Sequence, residues 1–410
     1  MKHLGIFVGL VFNLIFIKYN AQIGCTDPQA NNFSPTATVN NGSCTYDLTI
    51  SNYQTKGPIN IFAVESSGVQ YDNGVIWTHN DSGNANEIFK ADTTTGNLLQ
   101  RVTISNAANN DWEDITSDSS YIYVGDFGNN NGTRTDLKVL KIDKAQLTNT
   151  AAVISVTAQI INFSYADQTS FTSNGSTNFD CESMFSLNGS LYLFTKDRGD
   201  FQTRVYRLSK TPGTYTLSPY TSYNVNGKIT GADYNKQKKE VVLIGYMSSS
   251  RNSFFYFLND FTSDLFFSGN KRRIELGNST NDWQTEGVSY GINANELFFS
   301  CETSYTPATL YGTNRNMMLI LGLNEKVVKE NQIKVYPNPS NAILNIESSE
   351  EIKELELLTL DGRNIYQIFP NQFLTKMDVG QFTTQLNGCY FLKIKTASET
   401  FYKKVFFNLN

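Results

Sequence analysis

The sequence predicts an all-β protein, and three observations predict it. The apolar residues fall in short runs rich in Val, Ile, Tyr, Phe and Thr, separated by clusters of Asn, Gly, Ser, Asp and Thr. That is the composition of strands joined by turns. No long stretch carries a 3.6-residue apolar period, so helix should be scarce. Finally, one strand pair recurs five times between residues 49 and 324. Hydrophobic residues at 40% and aromatics at 13% suffice for real cores and exclude a disordered chain, and 410 residues suit two or three domains.

The recurring unit opens on an acidic or polar strand start, turns, and continues into an aromatic, β-branched strand. The cores of this second strand are Val75–Gly83, Tyr121–Gly128, Leu191–Gly199, Val241–Tyr246 and Leu297–Glu302. The strands just before four of them are Asp111–Ile115, Asp180–Met184, Thr230–Tyr234 and Gln284–Val288. Recurrence every 45 to 70 residues or so, with roughly four strands per unit, is the signature of β-propeller blades. The expected body, residues 49–324, is a five-bladed β-propeller, or a six-bladed one if the long spacing between the second and third copies hides a unit. A β-sandwich would not need the same strand pair five times. Residues 325–331 read as a linker. Beyond them, alternating strands and the Asp361-Gly362 turn predict a small antiparallel β-sandwich over 332–410, with eight basic and eight acidic residues.

The first residues address the chain. Lys2 and His3 precede the apolar run Leu4–Ile17, and small or polar residues follow to Ala21. This is a secretory signal peptide over 1–21, cleaved after Ala21. At about 14 residues the run is short of the roughly 20 that span a bilayer. No later stretch is apolar enough, so the mature form should be soluble with no transmembrane segment. Cys25 and Cys44 enclose 18 residues with little apolar content in the segment 22–48. A disulfide there would contribute about 3 kcal/mol. Cys181 and Cys301 fall at similar places in two repeats, which admits a second bridge, although buried free thiols fit better; Cys389 is isolated. No Cys/His metal pattern exists.

The C-terminal motifs carry a resemblance. Val335-Tyr336-Pro337-Asn338-Pro339, Leu360-Asp361-Gly362-Arg363, Gly388-Cys389-Tyr390-Phe391-Leu392-Lys393 and Lys403-Lys404-Val405 follow one another in order. They resemble the type A sorting domain of the type IX secretion system of Bacteroidetes. The resemblance implies passage by the Sec route and recognition of residues 332–410 by an outer-membrane translocon. Removal of the domain would follow, with release or attachment of the body at the cell surface. One departure is Cys389, where that family usually has a small or polar residue. The segment from Cys25 to Cys44 resembles a short Cys-stapled module of surface proteins from the same bacteria; that resemblance implies no function, and a stapled spacer is the default reading. More loosely, the units around Glu113 and Glu286 resemble calcium-centred propellers such as calcium-activated nucleotidases and phytase-like or esterase-like secreted propellers.

In a propeller the innermost strand of each blade lines the central channel. If the strand starts align, Glu113, Glu182, Asp233 and Glu286 converge on one axis, where like charges raise one another's pKa unless a cation sits among them. Calcium, with six to eight oxygen ligands, would relieve that repulsion, so these four are the expected metal ligands. The blander reading is that they cap turns. Asp81, Asp126 and Asp197 follow second strands and are expected to rim a ligand-binding face, with Asn129–Asn131 and Lys196–Arg198 beside them; Asp-x-Gly is also ordinary turn chemistry.

Other chemistries fare badly. His79 is the only histidine after the signal segment and no Gly-x-Ser-x-Gly elbow exists, which excludes a Ser-His-Asp hydrolase. Zinc lacks ligands and phosphate loops are absent. The net charge of −5 argues against nucleic acid. Lys271-Arg272-Arg273 reads as a solvated basic loop. Three functions remain. The first is an exported binding module whose propeller face holds an extracellular glycan, peptide or small molecule. The second is a calcium-dependent hydrolase of phosphoesters or glycosides, and the third is a structural or adhesive surface scaffold.

Overall fold

The computed structural model describes residues 21–247, 252–276, 284–304, 306–315, 333–359, 364–378, 380, 387–397 and 400–408. The expected signal peptide, but for its last residue, and the expected linker lie outside them. The described chain is all-β, its strands broken by one 3₁₀ turn, Lys144–Leu147, which Asp143 caps.

Five sheets make up the body. Sheet I runs Ser66–Asp72, Val75–Asn80, Glu87–Asp92 and Leu98–Ile104, with Val153–Val156 added in parallel. Sheet II runs Trp112–Ser117, Tyr121–Asp126, Lys138–Asp143 and Gln159–Tyr165, with Gly213–Leu217 added in parallel. Sheet III holds Cys181–Leu187, Ser190–Thr195, Gln202–Ser209 and Pro219–Asn224. Sheet IV holds Lys228–Asn235, Glu240–Tyr246, Ser253–Asn259 and Asn270–Glu275. Sheet V holds Thr285–Tyr290, Glu296–Cys301 and Thr309–Asn314, and its fourth strand is Gln54–Pro58 from the start of the body. The long spacing between the second and third repeats supplies Val153–Val156 and Gln159–Tyr165 to sheets I and II.

All five expected second strands are present, and Ser190–Thr195 and Glu240–Tyr246 are buried along their whole length. Continuous apolar runs such as Val241–Ile244 require cover on both faces. That cover is the neighbouring sheet. One apolar cluster joins sheets I and II through Trp77, Ile115 and Val124; others join II to III, III to IV and IV to V. A fifth, with Phe89, Phe298 and Leu310, joins V to I. The first strand of each sheet also packs against the first strands of both neighbouring sheets.

The segment from Gln22 to Leu48 is closed by the Cys25–Cys44 disulfide, while Cys181 and Cys301 are buried free thiols. It is more than a spacer, because it docks on sheet IV. Thr26 Oγ1 and Asn40 Nδ2 donate to Asp260 Oδ2 at 2.7 and 2.8 Å, and Lys271 Nζ donates to Gly42 O at 3.0 Å. The basic run read as a solvated loop is therefore strand Asn270–Glu275, with Arg272 buried beneath the segment.

At the C-terminus, Ile333–Tyr336, Ile343–Ile352 and Gln372–Asp378 form one sheet. Asn364–Ile368, Glu354–Leu358, Asn387–Lys395 and Thr400–Asn408 form a second. Leu344, Ile346, Leu355, Leu357, Leu392 and Val405 share one core between them. Alternation such as Leu344-in, Asn345-out, Ile346-in places those residues on the buried faces.

Candidate functional site

Every first strand of the body carries a β-bulge near its start, between Ser66 and Val69, Trp112 and Asp114, Cys181 and Ser183, Ile229 and Gly231, and Thr285 and Val288. A bulge leaves one residue outside the ladder and re-aims its side chain. The re-aimed residues are Ser67, Glu113, Glu182, Thr230 and Glu286, all buried. Three of the four expected metal ligands thus hold equivalent places. Asp233 does not. It lies three residues beyond Thr230, where its Oδ2 accepts from Tyr290 N at 2.8 Å and Ser289 Oγ at 3.0 Å. Its work is to tie sheet IV to sheet V, and Thr230 stands in its expected position.

One step beyond the bulges, register sets Glu65 opposite Asp81, Asp180 opposite Lys196, Lys228 opposite Tyr246 and Gln284 opposite Glu302, with Asp111 facing Gly128. These groups close around the three glutamates. Asp81, Asp111 and Glu113 can bring carboxylate oxygens within 4.8 Å of one another, as can Glu113, Asp180 and Glu182. Glu113, 3% exposed, belongs to both trios. Gly128 leaves the room, since a Cβ there would collide with the Glu113 and Asp111 carboxyls.

Two cations answer these acids directly. Lys196 Nζ lies 3.0 Å from Glu182 Oε2, while Arg198 Nε donates to Asp180 Oδ2 at 2.8 Å. Asn129 N donates to the other Asp180 oxygen at 2.7 Å. The Asp81–Asp111–Glu113 trio has no such ion-pair partner among the described residues. Its electrostatics follow. Burial, then the charge of Glu182, holds Glu113 well above the usual carboxylate range. Burial pushes Asp111 up to about 7 and raises Asp81. Glu286 rises to about 7, chiefly by burial, and Glu302 to about 8 by burial and then by Glu286. Burial pulls Lys196 down, but Glu182, Glu286 and Asp180 together outweigh it and hold the ammonium well above its ordinary value.

Of the three expected ligand-rim aspartates, only Asp81 joins this cluster. Asp126 stays inside the ladder opposite Trp112, two residues before Gly128, while Asp197 lies one residue past Lys196, and successive strand side chains point to opposite faces. Asp126 is buried against Arg134 at 2.8 Å and Lys138 at 3.2 Å, and Asp197 against Arg204. Asn129 bridges sheets II and III instead of meeting solvent, donating to Phe179 O at 3.1 Å. His79 is buried with Nδ1 3.0 Å from Asn80 O, and burial pushes it down to about 4, so it is neutral. Asp111, Asp180 and Glu302 were missed as site residues. The first two had a signal in the repeated Asp-x-Glu of Asp111-Trp112-Glu113 and Asp180-Cys181-Glu182.

The donor set is all oxygen, with no imidazole or free thiolate in either trio, which suits a hard cation and not zinc. Asp81, Asp111 and Glu113 would hold it, because Glu182 and Asp180 already have their cations.

Residues 334–408 match the family of secretion system C-terminal sorting domains. The chain is thus a protein exported to the cell surface or beyond it, and its sorting domain is the part that engages the type IX secretion machinery. No helix among the described residues is long and apolar enough to cross a membrane. No curated protein matches the sequence. Among solved structures the chain is similar to PorZ, an essential bacterial surface component of the type-IX secretion system of Porphyromonas gingivalis. The identity is 12% over 84% of this chain and 45% of PorZ, with a TM-score of 0.31. It is also similar to an exo-β-1,3-galactanase of Phanerochaete chrysosporium, at 10% identity over 80% of this chain and 94% of that one, TM-score 0.42. For a glutaminyl cyclase of Myxococcus xanthus the figures are 9%, 65%, 97% and 0.39. Likenesses at these scores fix neither the fold nor the function of this chain.

Proposed function

We propose that residues 49–324 form a five-bladed β-propeller that binds an extracellular ligand at its acidic end, with a calcium ion held by Asp81, Asp111 and Glu113. The cyclic order of the five apolar seams supports the propeller, as does the pairing of Gln54–Pro58 with the last sheet, which would close the ring and leave few free edges. One observation carries the calcium reading. Glu113 is buried within two carboxylate trios, and the nearby Lys196 and Arg198 are engaged with Glu182 and Asp180. Buried carboxylates in this number need protons or a cation. A bound calcium would neutralise them and offer its remaining coordination positions to hydroxyl or carboxylate oxygens of a glycan or peptide.

The test is a thermal melt of the mature protein in EDTA and in millimolar calcium. Saturation a hundredfold over Kd stabilises by about 2.7 kcal/mol, a Tm rise of roughly 5–10 °C for a body of this size. Glu113→Gln should abolish the rise. A Tm that calcium leaves unmoved in the wild-type protein would remove the metal from this reading. Glycan and peptide arrays probed with and without calcium then identify the ligand class.

A further inference from the structure

The basic strand of sheet IV leads to a second site, at the turn end of the strands and away from the carboxylate cluster. Arg272 is 3% exposed; its Nη1 donates to Gln29 Oε1 at 2.7 Å and its guanidinium lies 5.0 Å from the Tyr46 ring. Nearby, Arg315 is also 3% exposed and grips Glu240 through Nε and Nη2 at 3.0 and 2.8 Å. Among the described residues, Arg272 Nε and Arg315 Nη1 are buried with no hydrogen-bond partner. A cavity of about 870 Å³ opens between the disulfide-closed segment and this edge of sheet IV. Both arginines line it, together with Lys238, Lys239, Tyr46 and Tyr234.

The charges around this cavity do not balance. Four basic residues line it against three acids, of which Glu240 alone is ion-paired among the described residues. Glu240 holds Arg315, Asp27 accepts from Tyr46 Oη at 2.7 Å and Gln29 N at 2.9 Å, and Asp260 accepts from Thr26 and Asn40. Arg272 has no ion-pair partner among the described residues, and the charge of Asp27 offsets its surroundings only in part. Burial, and then the charge of Arg315, pulls its guanidinium below its ordinary pKa, so two desolvated cations oppose each other here. An anion between them relieves that repulsion, and a guanidinium N–H to an oxyanion is a charge-assisted bond. The volume lies in the range of small-molecule pockets and exceeds what an inorganic ion needs.

We propose that this cavity binds a small ligand bearing an oxyanion, with Arg272, Arg315 and Lys238 supplying the positive charge and Tyr46 and Tyr234 forming its walls. The disulfide-closed segment is then one wall of a binding site, which explains why it is docked and not free.

The proposal is tested by titration calorimetry of the mature protein in EDTA and low salt, so that a cation at the other end plays no part. The probes are glucuronate, glucose 6-phosphate and glucose. Glucuronate binding would assign a carboxylate ligand and glucose 6-phosphate binding a phosphate. Glucose should bind to neither measure. Arg272→Gln should weaken the preferred anion by about tenfold or more, as expected for loss of one charge-assisted hydrogen bond. Lys238→Gln, at the half-buried turn, should do so with the fold intact by melting temperature. Failure of both anions to bind, equal binding of glucose, or undiminished affinity in folded Lys238→Gln and Arg272→Gln would overturn the proposal.

Discussion

Lys196 Nζ stands 3.0 Å from Glu182 Oε2, with both side chains buried where the first strands of the body begin. The pair divides the acidic cluster. Glu182 and Asp180 are answered by cations of their own sheet, while Glu113, Asp111 and Asp81 are not. Stability and cation response should therefore come apart on mutation.

Lys196→Met should destabilise strongly, by about 3–5 kcal/mol, since it strands a buried carboxylate. Adding Glu182→Gln should restore much of the loss. Urea unfolding of the two variants checks this. A double variant no more stable than Lys196→Met alone would mean that the pair is not what holds this end together.

The pH dependence has a definite sign. Folded-state values of about 7 for Glu286 and about 8 for Glu302 lie above their ordinary 4.5, so the folded protein holds protons that the unfolded chain has lost. The stability they contribute is complete below about pH 4.5 and is lost as the pH rises through 7 to 8. His79, pushed down to about 4 from 6.5, acts in the opposite direction below pH 6.5. In EDTA the melting temperature should therefore fall between pH 6.5 and 8. Calcium on Asp81, Asp111 and Glu113 should flatten that fall, because it displaces the protons those carboxyls hold and cancels the Asp81 charge that helps to raise Glu286 and Glu302.

Asp114 is a fastener between sheets. Its Oδ2 accepts from Met184 N at 2.7 Å and its Oδ1 from Ile115 N at 2.8 Å, with the whole residue buried. Asp114→Ala leaves two buried N–H groups unmade and should cost roughly 2–4 kcal/mol. Denaturant midpoints measure it, and a loss under about 0.5 kcal/mol would show the seam indifferent to this residue.

Breaking the disulfide with Cys25→Ser and Cys44→Ser should cost the N-terminal segment about 3 kcal/mol while leaving the five sheets folded. Limited proteolysis should then cut within residues 22–48 and spare the body. Equal resistance in both proteins would mean that the contacts to Asp260 and Arg272 suffice without the bridge.

Much of the architecture was legible because it is written in local pattern. The five second strands announce themselves by β-branched and aromatic runs, and the sorting domain by ordered motifs and period-two alternation. The site was half legible. Glu113, Glu182 and Glu286 sit at strand starts that look alike and are alike. Asp233 looks alike and is not, because the bulge in its strand falls at Thr230.

By itself, then, the sequence determined an exported all-β chain with a repeated strand pair and a stapled N-terminal segment, since composition, periodicity and cysteine spacing are properties of neighbouring residues. Only the tertiary structure decided which charges meet. A shift of one residue turns a strand side chain to the other face, and that separates Asp81, which joins Glu113, from Asp197, which turns to Arg204, while Asp126 stays within its ladder against Arg134. The same rule buried Arg272, because the segment that covers it lies more than 200 residues away in the chain and reaches it only in the folded protein.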